Sequence, residues 1–250
     1  MAIIIAVMNH KGGVGKTTTT INVGAQAALK GKTLLIDLDK QAHLSYAFDV
    51  TEPTTTVRDL FLNNPYQVVN VRKNLDLLPC HITMAGIENR LIDQFSREYI
   101  LKDALKPILE KYDYIFLDCP PDIGLITTNA LTAANYVIAP VEAEIFSVIG
   151  ASHIIDFIRK IREKLNPDLQ ILGFLLTKYV ENVNITDDIL KEIKAKGWED
   201  IIFETKIRIN TSIKSAQFRK QTIFEFDRKS RGAEDYARLG SEIIKKIKDN

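Results

Sequence analysis

Residues 11–18 read Lys-Gly-Gly-Val-Gly-Lys-Thr-Thr, and they follow an apolar, β-branched run at 2–7. Glycines at 12, 13 and 15 free the backbone to curl, so that successive N–H groups point at one anion. Downstream, Ile21, Ala25, Ala28 and Leu29 share one face of a helical stretch, whose N-terminus adds its partial positive charge. A strand, a glycine-rich loop and a helix in this order are the context that a phosphate-binding loop requires. The cradle then comprises Gly12, Gly13, Val14, Gly15 and Thr18. Lys16 is within reach of the β- and γ-phosphates of a nucleotide, and the Thr17 hydroxyl is a ligand for Mg²⁺.

Further apolar runs at 33–36, 75–78, 114–117, 136–141 and 171–177 read as short strands. Several are continuous rather than alternating, as in strands buried on both faces of a parallel sheet. Between them lie helical stripes. Ile154, Phe157, Ile158, Ile161 and Leu165 form one, and Tyr236, Gly240, Ile243, Ile244 and Ile247 another. The predicted fold is α/β, with a doubly wound, mostly parallel sheet flanked by helices. No linker, repeat or low-complexity tract interrupts the chain, so a single domain over 1–250 is expected. At 250 residues, 46% hydrophobic and 26% charged, the chain is long and apolar enough to bury a core, which speaks against disorder. It has no 18-residue apolar run, and residues 1–7 lack the basic start and cleavage site of a signal peptide. Its two cysteines, Cys80 and Cys119, supply neither a disulfide framework nor metal-ligand spacing. A cytoplasmic location is expected.

Carboxylates stand at the carboxyl ends of two of these runs, the edge at which doubly wound sheets bind ligands. Asp37 and Asp39 follow 33–36, and period-two alternation directs both to one side. A carboxylate there is able to orient an attacking water, although an Asp pair after a strand is otherwise a common helix cap or turn. Asp118 ends the run 114–117 within Asp-Cys-Pro-Pro, which fits a Walker B element holding Mg²⁺ through water.

The loop departs from the standard G-x-x-x-x-G-K-[ST] pattern, with His10 in place of its first glycine and an additional lysine at 11. In this form it resembles the deviant Walker A motif of the ParA/MinD family. Asp-Leu-Asp at 37–39, the D-x-P-P ending at 118–121, Ala-Pro-Val-Glu-Ala-Glu at 139–144 and Leu-Leu-Thr-Lys at 175–178 extend the resemblance over nearly the whole chain. It implies an ATPase using ATP and Mg²⁺ as a nucleotide-sandwich homodimer, with Lys16 acting in cis and Lys11 reaching the partner's phosphates. It also implies that Asp39 orients water, that Asp37 supports Mg²⁺ or the loop, and that Thr177 and Lys178 contact or flank the adenine. Lys40 and His43 stand where relatives commonly have proline and asparagine, so the turn after Asp39 departs from the family pattern.

The formal net charge of +1 hides an asymmetry. Residues 1–204 hold 21 Lys/Arg and 26 Asp/Glu, a balance of −5; residues 205–250 hold 12 and 6, a balance of +6. That basic end is either an ordinary solvated edge or a phosphate-binding face. The segment 207–236 resembles the carboxyl-terminal part of ParA (Soj-like) proteins. Its Arg208, Lys214, Arg219, Lys220, Arg228, Lys229 and Arg231 are the candidates for nonspecific DNA binding, which reads phosphates and not bases. The resemblance then implies a partitioning ATPase that binds DNA in its ATP state, associates with the nucleoid, and is stimulated by a ParB-like adaptor. The chain opens on its first strand, so no amino-terminal helix-turn-helix is expected. The alternatives are a MinD-like membrane-positioning ATPase or a ParA-like ATPase with a protein cargo. The terminal isoleucines continue the stripe from Tyr236 without a bulky cluster for a bilayer, so no membrane partner is expected.

Overall fold

A computed structural model describes residues 1–142, 147–180 and 195–249, without the side chains of 147–149. Ala143 and Glu144, at the end of the 139–144 match, lie outside the described residues. Among the described residues, seven strands form one sheet: β1 (Ile3–Val7), β2 (Thr33–Asp37), β3 (Val69–Arg72), β4 (Leu75–Leu78), β5 (Tyr114–Asp118), β6 (Tyr136–Glu142) and β7 (Gln170–Thr177). Their order is β3-β4-β2-β5-β1-β6-β7, parallel throughout except for the antiparallel β3–β4 pair. The fold is therefore the expected doubly wound one. The six expected strands are present, with ends differing by at most a residue. Strand β3 escaped the sequence reading because it is a short edge strand with Val69 and Asn70 exposed, and so lacks an apolar run.

The pleat sends alternate residues of the central strands to opposite faces. Ile4, Ala6, Leu34 and Ile36 pack with helices α3 (Val57–Phe61), α4 (Ile87–Leu91), α5 (Ile100–Leu105), α6 (Leu125–Ala133) and α7 (Ser147–Lys164). Ile5, Val7 and Leu35 pack on the other face with α1 (Lys16–Ala27), α2 (His43–Ala47), α8 (Thr211–Phe218), α9 (Ile223–Phe226) and α10 (Arg231–Asp249). Both faces are covered, which explains why these strands read as continuous apolar runs.

Helix α10 carries the carboxyl-terminal stripe inward. Tyr236, Leu239 and Ile243 are buried and Ile247 packs against them, as expected of a stripe that serves the core. Among the described residues, two hydrogen bonds pin the segment before it to α1, and a third joins α10 itself to α1. Gln217 Nε2 donates to Thr18 Oγ1 at 2.7 Å, the Ile223 amide donates to Asn22 Oδ1 at 2.9 Å, and the Thr19 and Tyr236 hydroxyls meet at 3.5 Å. The basic end of the chain thus rests on the helix that begins at the glycine loop.

Candidate functional site

The parallel order brings the carboxyl ends of β1, β2 and β5 side by side. In register, Val7 is opposite Asp118, and Asp118 is opposite Asp37. The glycine loop therefore leaves β1 beside both carboxylates. Gly13 (φ 77) and Gly15 (φ 93) adopt left-handed backbone angles that an L side chain resists, and Gly15 is the N-cap of α1. Helix α1 has no side-chain cap and no acidic residue in its first turn. Its opening N–H groups, which lack intrahelical acceptors, are therefore available to an anion.

The loop is fastened to the ends of β6 and β7. Asn9 Nδ2 donates to the Pro140 carbonyl at 2.6 Å, while Asn9 Oδ1 accepts from the Lys11 amide at 2.9 Å. Buried Thr177 donates from Oγ1 to the Val14 carbonyl at 2.9 Å and to the Val141 carbonyl at 3.2 Å. Lys16 is buried and donates from Nζ to the Lys11 carbonyl at 3.1 Å. Burial pulls its ammonium below the ordinary value, with Asp118 the largest opposing charge.

Asp118 is fully buried, and Thr20 Oγ1 donates to its Oδ1 at 3.2 Å. Its other oxygen, Oδ2, is buried without a hydrogen-bond partner among the described residues. Burial first, then the neighbouring Asp37 charge, push the Asp118 carboxyl up to about 8. Asp37 is pushed up to about 7 by burial, against hydrogen bonds from Ser45 and Asp39. Both its oxygens are engaged: Oδ2 accepts from the Ser45 amide (2.8 Å) and hydroxyl (2.7 Å), and Oδ1 from the Asp39 amide (3.2 Å). Of the two roles expected of Asp37, these bonds describe the loop anchor.

Asp39 has a different environment although it is two residues away. It is only partly buried, and its Oδ1 accepts from the Gln41 amide at 2.9 Å. With Gly12, Gly13, Gly15, Lys16, Thr17 and Thr18 it lines a cleft of about 550 Å³. Tyr46, Gln217 and Phe218 line the same cleft, and Phe218 is 85% exposed beside it. These three were missed by the sequence reading, since nothing in their local pattern points to the loop; α2 and α8 deliver them.

Three sets of expected residues lie differently. Thr177 holds the loop's backbone and Lys178 pairs with Glu142, and neither lines the cleft beside Lys16. Lys11 also meets Glu142, its Nζ 3.0 Å from Oε2. Burial works to raise the Glu142 carboxyl, but hydrogen bonds from Lys178 and Lys11 outweigh it and hold it below the usual range. In the basic segment, Arg208 turns inward: its guanidinium is within 2.6 Å of Asp235 and 2.9 Å of Glu234. That arginine serves an internal ion pair, which sets it apart from the exposed cations of the segment. Lys220 is paired with Asp49 and sits 4.9 Å from the centre of the Tyr46 ring. Lys214, Arg219, Arg228, Lys229 and Arg231 are exposed.

Comparison with known proteins agrees with this geometry. A family model described as an AAA domain matches residues 2–171. The chain is 38% identical to the sporulation initiation inhibitor protein Soj of Bacillus subtilis, over 97% of this chain and 98% of Soj. It is 36% identical to the chromosome partitioning protein ParA of Myxococcus xanthus, over 97% and 88% respectively. Among solved structures, a Mycobacterium smegmatis protein named cobyrinic acid a,c-diamide synthase, with bound ADP and magnesium, superposes with a TM-score of 0.86. It is 31% identical, over 99% of this chain and 96% of that one. A candidate plasmid partition protein of Borrelia burgdorferi B31 bound to AMPPNP gives 0.81 at 26% identity, over 100% and 99%. With the glycine loop, the strand-end carboxylates and near full-length likeness to Soj and ParA in agreement, the chain belongs to the Soj/ParA family of partitioning ATPases.

Proposed function

We propose that the chain binds ATP with Mg²⁺ in the cleft at the start of α1, dimerises around the nucleotide, binds DNA nonspecifically in that state, and is reset by hydrolysis to ADP and phosphate. The observation that carries this reading is the convergence of Lys16, Thr17 and Asp39 on one cleft in a chain of this family. Neighbouring structures with ADP or an ATP analogue and magnesium support the choice of nucleotide. The donor set fits a magnesium ion, because the Thr17 hydroxyl and the Asp118 carboxylate are hard oxygen donors and Asp118 Oδ2 is buried and unpartnered among the described residues. Magnesium, when bound, neutralises charge on the phosphates.

The chain's own groups act mainly by position and charge. The loop amides and Lys16 hold the phosphates. Asp39, half-open to solvent, accepts a hydrogen bond from the water that attacks the γ-phosphorus as the bond to ADP breaks. Lys11 of each subunit serves the other's nucleotide. Dimerisation joins two modest basic faces, which raises affinity through avidity. Lys214, Arg219, Arg228, Lys229 and Arg231 supply these faces, and their exposure supports that role. Binding to DNA would keep the ATP form on the nucleoid, and a ParB-like adaptor would stimulate its release.

The test is binding to a nonspecific DNA duplex with ATP, ADP or no nucleotide, at two salt concentrations. Binding is expected with ATP alone and is expected to weaken steeply with salt. Lys16→Ala is expected to abolish it together with ATP binding. Absence of DNA binding in every nucleotide state, with ATP-driven dimerisation intact, would overturn the DNA reading.

A further inference from the structure

Glu142 ends β6 with a side chain only 8% exposed, yet two lysines share it. Lys11 Nζ reaches Oε2 at 3.0 Å from the glycine loop, and Lys178 Nζ reaches Oε1 from the end of β7. Both lysine side chains are about half exposed, at 52% and 56%. The register that pairs Glu142 with Thr177 sets Lys178 one residue beyond it, where a left-handed backbone (φ 52) turns the chain. Lys11 is also tied through its main chain, its amide to Asn9 and its carbonyl to Lys16. Only its side chain needs to swing for the ammonium to leave.

We infer that Glu142 is a positioning residue for Lys11, holding its ammonium against its own subunit's sheet until a nucleotide-loaded partner competes for it, and that Lys178 is the stand-in cation that makes this release possible. The inference rests on the proposed trans role of Lys11. The physical reason for the second lysine is desolvation. A buried carboxylate that loses its cation becomes an uncompensated buried charge, which is strongly unfavourable. With Lys178 remaining on Oε1, Glu142 stays paired when Lys11 departs. The carboxylate thus acts as a catch of finite strength, and the two side chains, Glu142 and Lys178, set that strength in opposite directions.

The experiment measures two quantities in the full chain: ATP·Mg²⁺-dependent dimerisation by analytical ultracentrifugation, and ADP affinity of the monomer by calorimetry. Glu142→Gln is expected to tighten the ATP dimer by about tenfold, and Lys178→Gln to weaken it by a similar factor. ADP affinity is expected to stay within about twofold in both, because Lys11 serves the partner's nucleotide and not its own. The double variant is expected to behave as Glu142→Gln alone, since Lys178 matters only while the carboxylate is there. A simple change of field over the subunit's own phosphates would move ADP affinity and dimerisation together, and that result would overturn the inference. So would wild-type dimerisation that neither substitution alters. A wild-type chain that binds ATP without dimerising would instead overturn the trans role of Lys11, and this inference with it.

Discussion

At the scale of single residues, three aspartates near one strand edge have three different environments. Asp118 is buried with one oxygen unpartnered among the described residues, Asp37 is buried and fully hydrogen-bonded, and Asp39 faces the cleft. The first two carry a pH signature. With carboxyls pushed up to about 8 and about 7, the native chain retains protons that the unfolded chain, near 3.8, has released. Stability from this source is fully present below pH 4 and is lost as pH rises through 7 to 8, because the native state binds more protons across that window. One titrating group contributes at most about 1.4 kcal/mol per pH unit. Asp118→Asn is therefore expected to flatten the fall in stability between pH 5 and pH 8, read from urea unfolding of the nucleotide-free protein. An unchanged slope would refute the assignment. The sequence marked all three carboxylates through their place at strand ends. The resemblance gave them different roles, but the sequence did not show their different environments, which lie in Ser45, Thr20 and the turn amides around each one.

At the scale of elements, β7 does more than close the sheet. Its last residue, Thr177, holds the glycine loop by the Val14 carbonyl and β6 by the Val141 carbonyl. Thr177→Val keeps the shape and removes the donor, leaving buried carbonyls a partner short. A cost of about 1 kcal/mol, or roughly a fivefold loss of nucleotide affinity, is expected from a calorimetric titration with ADP. Affinity equal to wild type would mean that the loop keeps its shape without this bond. The apolar strands and helical stripes were legible element by element, since periodicity is local. Strand β3 was not, because an exposed edge strand needs no apolar run. Nor was the service of Thr177 to the loop, which depends on a hydrogen bond spanning 163 positions of sequence.

For the whole molecule, the charge division of −5 and +6 is the feature with the longest reach. The fold sorts the basic end into inward and outward groups, and this has a consequence for mutagenesis. Arg208 compensates Asp235, whose side chain is 4% exposed, so Arg208→Ala strands a buried carboxylate. A loss of about 3 kcal/mol in unfolding free energy is expected from chemical denaturation. Lys214→Ala with Arg219→Ala changes only exposed side chains and is expected to leave stability within about 0.5 kcal/mol. The same pair is expected to lower the salt dependence of DNA binding, by about 0.9 in log–log slope for each phosphate no longer neutralised. Should the pair leave the slope untouched while Arg208→Ala abolishes binding without destabilising the chain, the division between inward and outward cations would be wrong.

What the sequence determined by itself was whatever depends on near neighbours: the strand–loop–helix at 2–29, the carboxylates at strand ends, the stripe that turns α10 inward, and the loop glycines at 13 and 15 where φ is positive. Spacing along a chain dictates these because backbone geometry repeats every two or 3.6 residues. What only the tertiary structure decided was how charges and hydrogen-bonding groups pair across the sheet. Lys11 and Glu142 are 131 positions apart, and Arg208 meets an aspartate 27 positions on. Such pairs form because strand order and register bring together groups that burial then obliges to find partners, and no local pattern records which partner each will meet.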